Sequence, residues 1–183
     1  MMPTRHLKTA LAIAALCAAS GTFAATMSKS DYAAAKDRVS ADYKADKAAC
    51  ASLAGNQKDI CTEQAKGKES VARADLEYSY SGKASDATKV SVAKADASYA
   101  VAKEMCDDKA GNVKDVCVSE AKAAHTKGLA DAKMSEKVGE ARKDAADDKR
   151  DADYKVTIEK CDSLAGDAKA SCVSSAKARF NKS

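Results

Sequence analysis

Three cysteine pairs with one fixed spacing constrain this chain more than any other feature of its sequence. Ten residues separate the partners of each pair, and the pairs are Cys50 and Cys61, Cys106 and Cys117, and Cys161 and Cys172. The steps between the first cysteines of successive pairs are 56 and 55 residues. A repeat of this length is typical of supersecondary units that are stacked or strung along the chain.

Each cysteine pair encloses the residues of a predicted turn. The turn residues are Gly55 and Asn56, Gly111 and Asn112, and Gly166 and Asp167. Glycine adopts the left-handed conformation just past a helix end at low cost. Asn and Asp accept hydrogen bonds from the free amides that open the next helix. We therefore predict that the chain reverses in each repeat as a tight αα-hairpin.

The spacing also bears on how the six cysteines are joined. In one unbroken helix the two α-carbons of a pair would lie about 16 Å apart, whereas a disulfide needs about 4.4 to 6.8 Å. Six cysteines allow 15 connectivities. We predict local pairing within each repeat, because the same spacing recurs around the same turn residues. Each disulfide would then contribute a little under about 3 kcal/mol of stability.

Other uses of the cysteines are disfavoured by their surroundings. Zinc sites have cysteines two to four residues apart or additional histidines, and His125 is the only histidine after the amino-terminal segment. Redox catalysis would require a Cys-x-x-Cys pair, which the sequence lacks. We expect no metal and no cofactor.

The amino-terminal segment has the layout of a secretory signal. A basic start that includes Arg5 and Lys8 precedes an apolar run over 10–19, and small residues over 21–25 close the segment. The apolar run is shorter than the roughly 20 residues of a membrane-spanning helix. We expect cleavage after Ala24 or Ala25 and a periplasmic location, with no integral membrane segment in the mature protein.

Cysteine counting supports export. Cys17 lies inside the predicted signal, so that its removal leaves six of the seven cysteines, an even number suited to disulfides. A short uncleaved anchor is the alternative to cleavage. A lipid anchor on Cys17 is disfavoured, because Leu16 stands where a lipoprotein peptidase would require a small residue.

Composition predicts the fold class. The single proline is Pro3, Trp is absent and large aliphatic residues are sparse, whereas Ala, Lys, Asp and Glu dominate. Such a chain forms long helices but cannot fill a thick core. We predict an all-α fold, an elongated array of three disulfide-stapled antiparallel helical hairpins with coiled-coil-like arms. The predicted segments are the signal peptide 1–25, hairpin repeats 26–80, 86–140 and 141–183, and a linker 81–85.

The helical arms and their apolar stripes follow the same periodicity. The predicted arms are 29–54, 57–80, 86–110, 113–165 and 168–180, and Gly128 and Gly139 are possible bends in the fourth. One stripe joins Cys61, Ala65, Ala72, Leu76 and Tyr80, and another joins Tyr154, Ile158, Cys161 and Leu164. We interpret these stripes as helix-helix contacts. Tyr43, Tyr99 and Tyr154, each seven residues before a cysteine, either pack on the partner arm or form a repeated recognition patch, and packing is favoured.

Charge and motif content exclude several functions. The formal charge of +4 falls to +2 once Arg5 and Lys8 leave with the signal, and both signs are interspersed along the chain. This pattern indicates solvated helix faces and disfavours nucleic-acid binding. No phosphate loop or nucleophile with a nearby histidine is present in the sequence. We therefore expect a protein that is not an enzyme, has no small-molecule substrate, and acts through a protein partner or self-association.

The repeated block resembles a group of known sequences. Its form is Cys-x-x-Leu-Ala-Gly-Asn-x-Lys-Asp-x-Cys, followed by Glu-Ala-Lys-Ala as at 120–123. It resembles small exported bacterial proteins that are uncharacterised or labelled TolA-like cell envelope biogenesis proteins. The Ala- and Lys-rich arms are similar to the helical spacer of TolA, although no functional residue of TolA maps onto this chain. The resemblance implies an envelope protein.

Two functions follow as expectations. The first is a structural or interaction protein of the cell envelope, a helical scaffold or spacer. The alternative is a stress-related binding module of the periplasm, including a holdase-like chaperone that uses exposed apolar stripes.

Overall fold

The protein is all-α, as the composition predicts. The computed structural model describes residues 27–182, and the predicted signal peptide lies outside this range. Over 27–182 the chain forms five α-helices and no strand. The helices are α1 (Lys29–Ala49), α2 (Gly55–Ser81), α3 (Ala84–Asp107), α4 (Gly111–Asp162) and α5 (Gly166–Phe180), and a short 3-10 turn, Cys50–Ser52, follows α1.

The helices are arranged in chain order. Each packs antiparallel on its neighbours in sequence, α1 on α2, α2 on α3, α3 on α4 and α4 on α5. Within the described residues, helices that are not adjacent in sequence make no contact with one another. The 3-10 turn contacts α1 and α2. The fold is therefore a single layer of helices, and both faces of the layer are open to solvent.

Buried side chains lie in thin strips between neighbouring helices. Ala65 and Leu76 of α2, Val90 of α3 and Ala132 of α4 are among them. Small residues bring some helices very close together. A β-carbon added to Gly67 of α2 would lie 2.7 Å from the β-carbon of Ala97 in α3. Because alanine and glycine fill these strips, the chain packs its helices without a thick core.

The predicted linker is shorter in the structure than in the sequence interpretation. Only Gly82 and Lys83 separate α2 from α3, and Gly82 has a left-handed φ of +64°. The carboxylate of Asp86, in the first turn of α3, accepts hydrogen bonds from the Lys89 ammonium and the Ser81 hydroxyl. The first two hairpins are thus joined by a further tight turn and pack side by side through α2 and α3.

Helix α4 is continuous over 52 residues and about 78 Å long. Gly128 and Gly139, the possible bends, lie within the helix. Its first half packs on α3 and its last turns on α5, whereas residues 140–150 are exposed except for the half-buried Asp147. Asp147 pairs with Lys143 at 3.4 Å and with Arg150 at 2.5 Å. Ion pairs at this spacing support a helix that has no tertiary partner.

Candidate interaction surfaces

Disulfides join the cysteines within each repeat. The α-carbons of Cys50 and Cys61 are 5.6 Å apart, and the other two pairs have separations of 5.7 and 5.6 Å. The first cysteine of each pair is buried, and the second is half-buried. Local pairing is therefore confirmed, and every disulfide ties two antiparallel helices beside a turn.

The glycines of the turns occupy a different place from the predicted one. Gly55, Gly111 and Gly166 have φ angles of +54°, +54° and +58°. Each is the first residue of the second helix of its hairpin, and an extended alanine precedes it. The preceding helix has already ended in each hairpin, α1 at Ala49, α3 at Asp107 and α4 at Asp162. The left-handed glycine thus starts a helix and does not end one.

The capping role predicted for Asn56, Asn112 and Asp167 is wrong. None of these side chains caps its helix, since the capping position belongs to the extended alanine before each glycine. A residue already inside the first turn lies beyond the position from which a side chain caps the helix. The Asn56 amide instead donates to the Glu104 carbonyl oxygen at 2.8 Å, which links the first turn to the end of α3.

Two of the three turns carry an ion pair that the sequence interpretation missed. Asp107 and Lys114 are 2.7 Å apart, and Asp162 and Lys169 are 2.9 Å apart. In the first repeat Ala51 replaces the aspartate. The hydrogen bond from Lys114 lowers the pKa of Asp107, and the same bond raises the pKa of Lys114. Recurrence of Asp directly after the first cysteine was the available signal.

Two of the repeated tyrosines pack on the partner arm. The rings of Tyr99 and His125 stack with centroids 4.7 Å apart, and Tyr154 meets Phe180 edge-on at 5.9 Å. His125 Nε2 also lies 2.6 Å from Asp96 Oδ1. The packing interpretation therefore holds for the second and third repeats.

The first repeat lacks this aromatic pair. The position equivalent to His125 and Phe180 is Glu69, which pairs with Arg73 at 2.7 Å. Tyr43 lies beside the Lys47 ammonium, 6.0 Å from the ring centroid. Tyr32 contacts Tyr80 instead, at 4.5 Å, and donates a hydrogen bond to Glu77 that raises the pKa of Tyr32. The first hairpin thus holds its far end by a different aromatic contact.

An apolar groove runs along the layer between α2 and α3. Its volume is about 690 Å³, and Val71, Val101 and Met105 line it. Met105 is 52% exposed. Lys68 and Lys94 add charged groups to the lining. A groove of this kind can hold an apolar segment of another polypeptide.

Over 27–182, no three side chains of His, Cys, Asp or Glu come together in a way that could hold a metal ion. None of the described helices combines the length and the apolar character needed to cross a membrane. Comparison of the chain with known proteins found no matching family model, no matching curated protein and no matching solved structure.

Proposed function

We propose that this protein is a structural or interaction protein of the bacterial periplasm, a disulfide-stapled helical scaffold or spacer of the cell envelope. The observation that carries the proposal is α4, one helix of 52 residues that bears a hairpin partner near each end. A helix of this length separates two packed regions by a defined distance. The likeness to TolA-like envelope proteins supports the same function.

The disulfides fit this function physically. A single layer buries little apolar surface, so each hairpin needs a further source of stability. Local disulfides supply about 3 kcal/mol each by restricting the unfolded chain. Such bonds form and persist in an oxidising compartment, and the secretory signal over 1–25 would deliver the chain there.

The scaffold is tested by breaking α4 where it has no tertiary partner. Replacing Ala145 with Pro would kink or interrupt the helix, whereas Ala145→Ser leaves it continuous. Each variant is expressed in a deletion strain, and its export, envelope integrity and resistance to detergent are compared with the parent protein. We expect the proline variant alone to fail at normal periplasmic abundance. Full complementation by the proline variant, or retention of the protein in the cytoplasm, would contradict the proposal.

A second function has its own supporting observation. The apolar groove between α2 and α3 could bind exposed segments of unfolded proteins, as a holdase does. Aggregation of a thermally unfolded model client is measured with the parent protein and with Met105→Glu, which places a charge in the groove. Suppression that is lost in the variant would favour the holdase. No suppression by either protein would favour the scaffold.

A further inference from the structure

One edge of the helical layer carries an exposed apolar face. Five large apolar side chains lie on the side of α4 that faces away from α3 and α5, and all are between 43% and 64% exposed. They are Val113, Val116, Met134, Val138 and Val156. Helix α1 forms the other edge, and none of its residues is an exposed large apolar residue. Exposed large apolar side chains therefore distinguish the α4 edge of the layer from the α1 edge, and an exposed apolar face commonly marks an interaction site.

The exposed face has the spacing of a coiled coil. Steps of three and four residues alternate from Val116 to Met134 and again from Val138 to Lys155. The intervening residues of the stripe are Glu120, Ala123, Lys127, Ala130, Ala141, Ala145, Asp148 and Ala152, and all are exposed. One step of four joins the two halves, a local irregularity that coiled coils accommodate. The stripe spans about six heptads, and eight of its twelve positions are apolar while four are charged.

We infer that this face pairs with the same face of a second copy, so that two α4 helices form an antiparallel coiled coil. In this register Lys137 of one copy lies beside Val138 of the other. Five stripe positions before this centre then face five stripe positions after it. The facing pairs are Glu120 with Lys155, Ala123 with Ala152, Lys127 with Asp148, Ala130 with Ala145, and Met134 with Ala141.

Charge complementarity selects this partner and this direction. Within the described part of the chain, Glu120, Lys127, Asp148 and Lys155 form no ion pair. The antiparallel register sets each of them opposite a residue of the other sign. A parallel pair in register would set each opposite its own copy, which places like charges together. Two pairs depart from the pattern, Val116 with Glu159 at each end and Val138 with Lys137 at the centre.

The register also gives a partner to the segment of α4 that lacks one. Residues 140–150 lie between the parts of α4 that contact α3 and α5, and they adjoin the centre of the inferred dimer. Because α3 and α5 pack on the opposite side, the second copy meets no obstruction from either. Alanine at most apolar positions permits a close approach of the two helices. This inference rests on the scaffold proposed above. It adds that two copies of the scaffold associate through their α4 edges.

The test begins with the oligomeric state of the exported full chain. Sedimentation equilibrium across a concentration series should give twice the monomer mass. Zero-length cross-linking of carboxylates to amines should then join Glu120 to Lys155 and Lys127 to Asp148. Along one helix these pairs are about 53 Å and 32 Å apart, so that such links form only between two chains. A monomer at all concentrations would overturn the inference. The same result would follow if another helix of the same chain covered this face.

Charge exchange tests the register. Lys127→Glu and Asp148→Lys should each weaken dimerisation about tenfold, because two opposite-charge pairs per dimer become like-charge pairs. The double variant should restore it. Lys122→Glu changes an exposed lysine of α4 outside the stripe and should leave dimerisation unchanged. Dimerisation of the double variant that is as weak as that of the single variants would overturn the antiparallel register. Cross-links between the same positions of two isotopically distinct chains would also overturn it. A monomer with a straight α4 would refute the dimer and leave the scaffold intact.

Discussion

The ring of Tyr99 stacks on the ring of His125 with 4.7 Å between centroids, and the same positions of the next repeat hold Tyr154 against Phe180. In both repeats the tyrosine precedes the first cysteine by seven residues, and its partner follows the second cysteine by eight. A disulfide near the turn and an aromatic pair two turns away therefore fix the two arms at two points. Two points of attachment set both the spacing and the rotation of the helices.

Phe180→Ala should loosen α5. The Phe180 side chain is buried, and truncation of a buried phenylalanine costs about 3 to 5 kcal/mol. Helix α5 contacts only α4 among the described elements, so the loss falls on one hairpin. Hydrogen exchange of the α5 amides should accelerate, whereas the amides of α2 and α3 should be unaffected. Uniform acceleration across all helices would show that the third hairpin does not open on its own.

Gly67→Ala and Gly139→Ala should change stability in opposite directions. A β-carbon at Gly67 would lie 2.7 Å from the Ala97 side chain, so that α2 and α3 must separate at a cost of about 1 to 3 kcal/mol. At Gly139 nothing lies within 4 Å, and alanine should stabilise the exposed helix by about 0.5 to 1 kcal/mol. Urea unfolding measures both effects. Equal stabilisation by both changes would refute the close contact of α2 and α3.

Gly111→Ala should destabilise the second turn through the backbone alone. The φ of Gly111 is +54°, and no atom lies within 4 Å of an added β-carbon. A left-handed residue with a β-carbon costs about 1 to 2 kcal/mol, and asparagine costs less than alanine. Thermal unfolding should therefore rank the parent above Gly111→Asn and Gly111→Ala last. An alanine variant as stable as the parent would contradict the left-handed conformation.

Asp86→Asn should remove a pH-dependent contribution to the turn between α2 and α3. Hydrogen bonds from Lys89 and Ser81 lower the pKa of Asp86. A carboxylate with a lowered pKa stabilises the fold above its unfolded pKa of about 3.9, and this stability is lost as pH falls through the folded value. The parent should thus lose more stability than the variant between neutral pH and pH 2. Parallel stability curves for the two proteins would show that Asp86 contributes nothing.

The sequence predicts those features that are determined within one repeat. Local pairing of Cys50 with Cys61 and the reversal at Gly55 follow from spacing and from the geometry of a disulfide. The exact place of Gly55 at the start of α2 does not, since a left-handed glycine fits either end of the turn. The prediction for Asn56 fails for the same reason, because the helix starts two positions earlier and its cap is Ala54.

Contacts between repeats were beyond the reach of the sequence. Gly67 lies opposite Ala97 only because the two-residue turn at Gly82 sets the register of α2 against α3. The exposed stripe on α4 can be recognised only from the structure, which places α3 and α5 on the opposite side of that helix. Composition predicts long helices. The single layer depends on which alanine stripes of neighbouring helices contact each other, and the sequence does not distinguish among several such stripes.

The continuity of α4 is the central claim, and a distance measured along it tests that claim most directly. Spin labels are attached through unnatural amino acids at positions 122 and 153. This chemistry leaves the cysteines unmodified, and both positions lie outside the inferred dimer stripe. Labelled protein is diluted with an excess of unlabelled protein, so that pulsed electron resonance reports distances within one chain. A continuous helix predicts a narrow distribution centred at about 46 Å. A broad distribution, or one centred well below that value, would show that α4 bends at Gly128 or Gly139 and would contradict the scaffold.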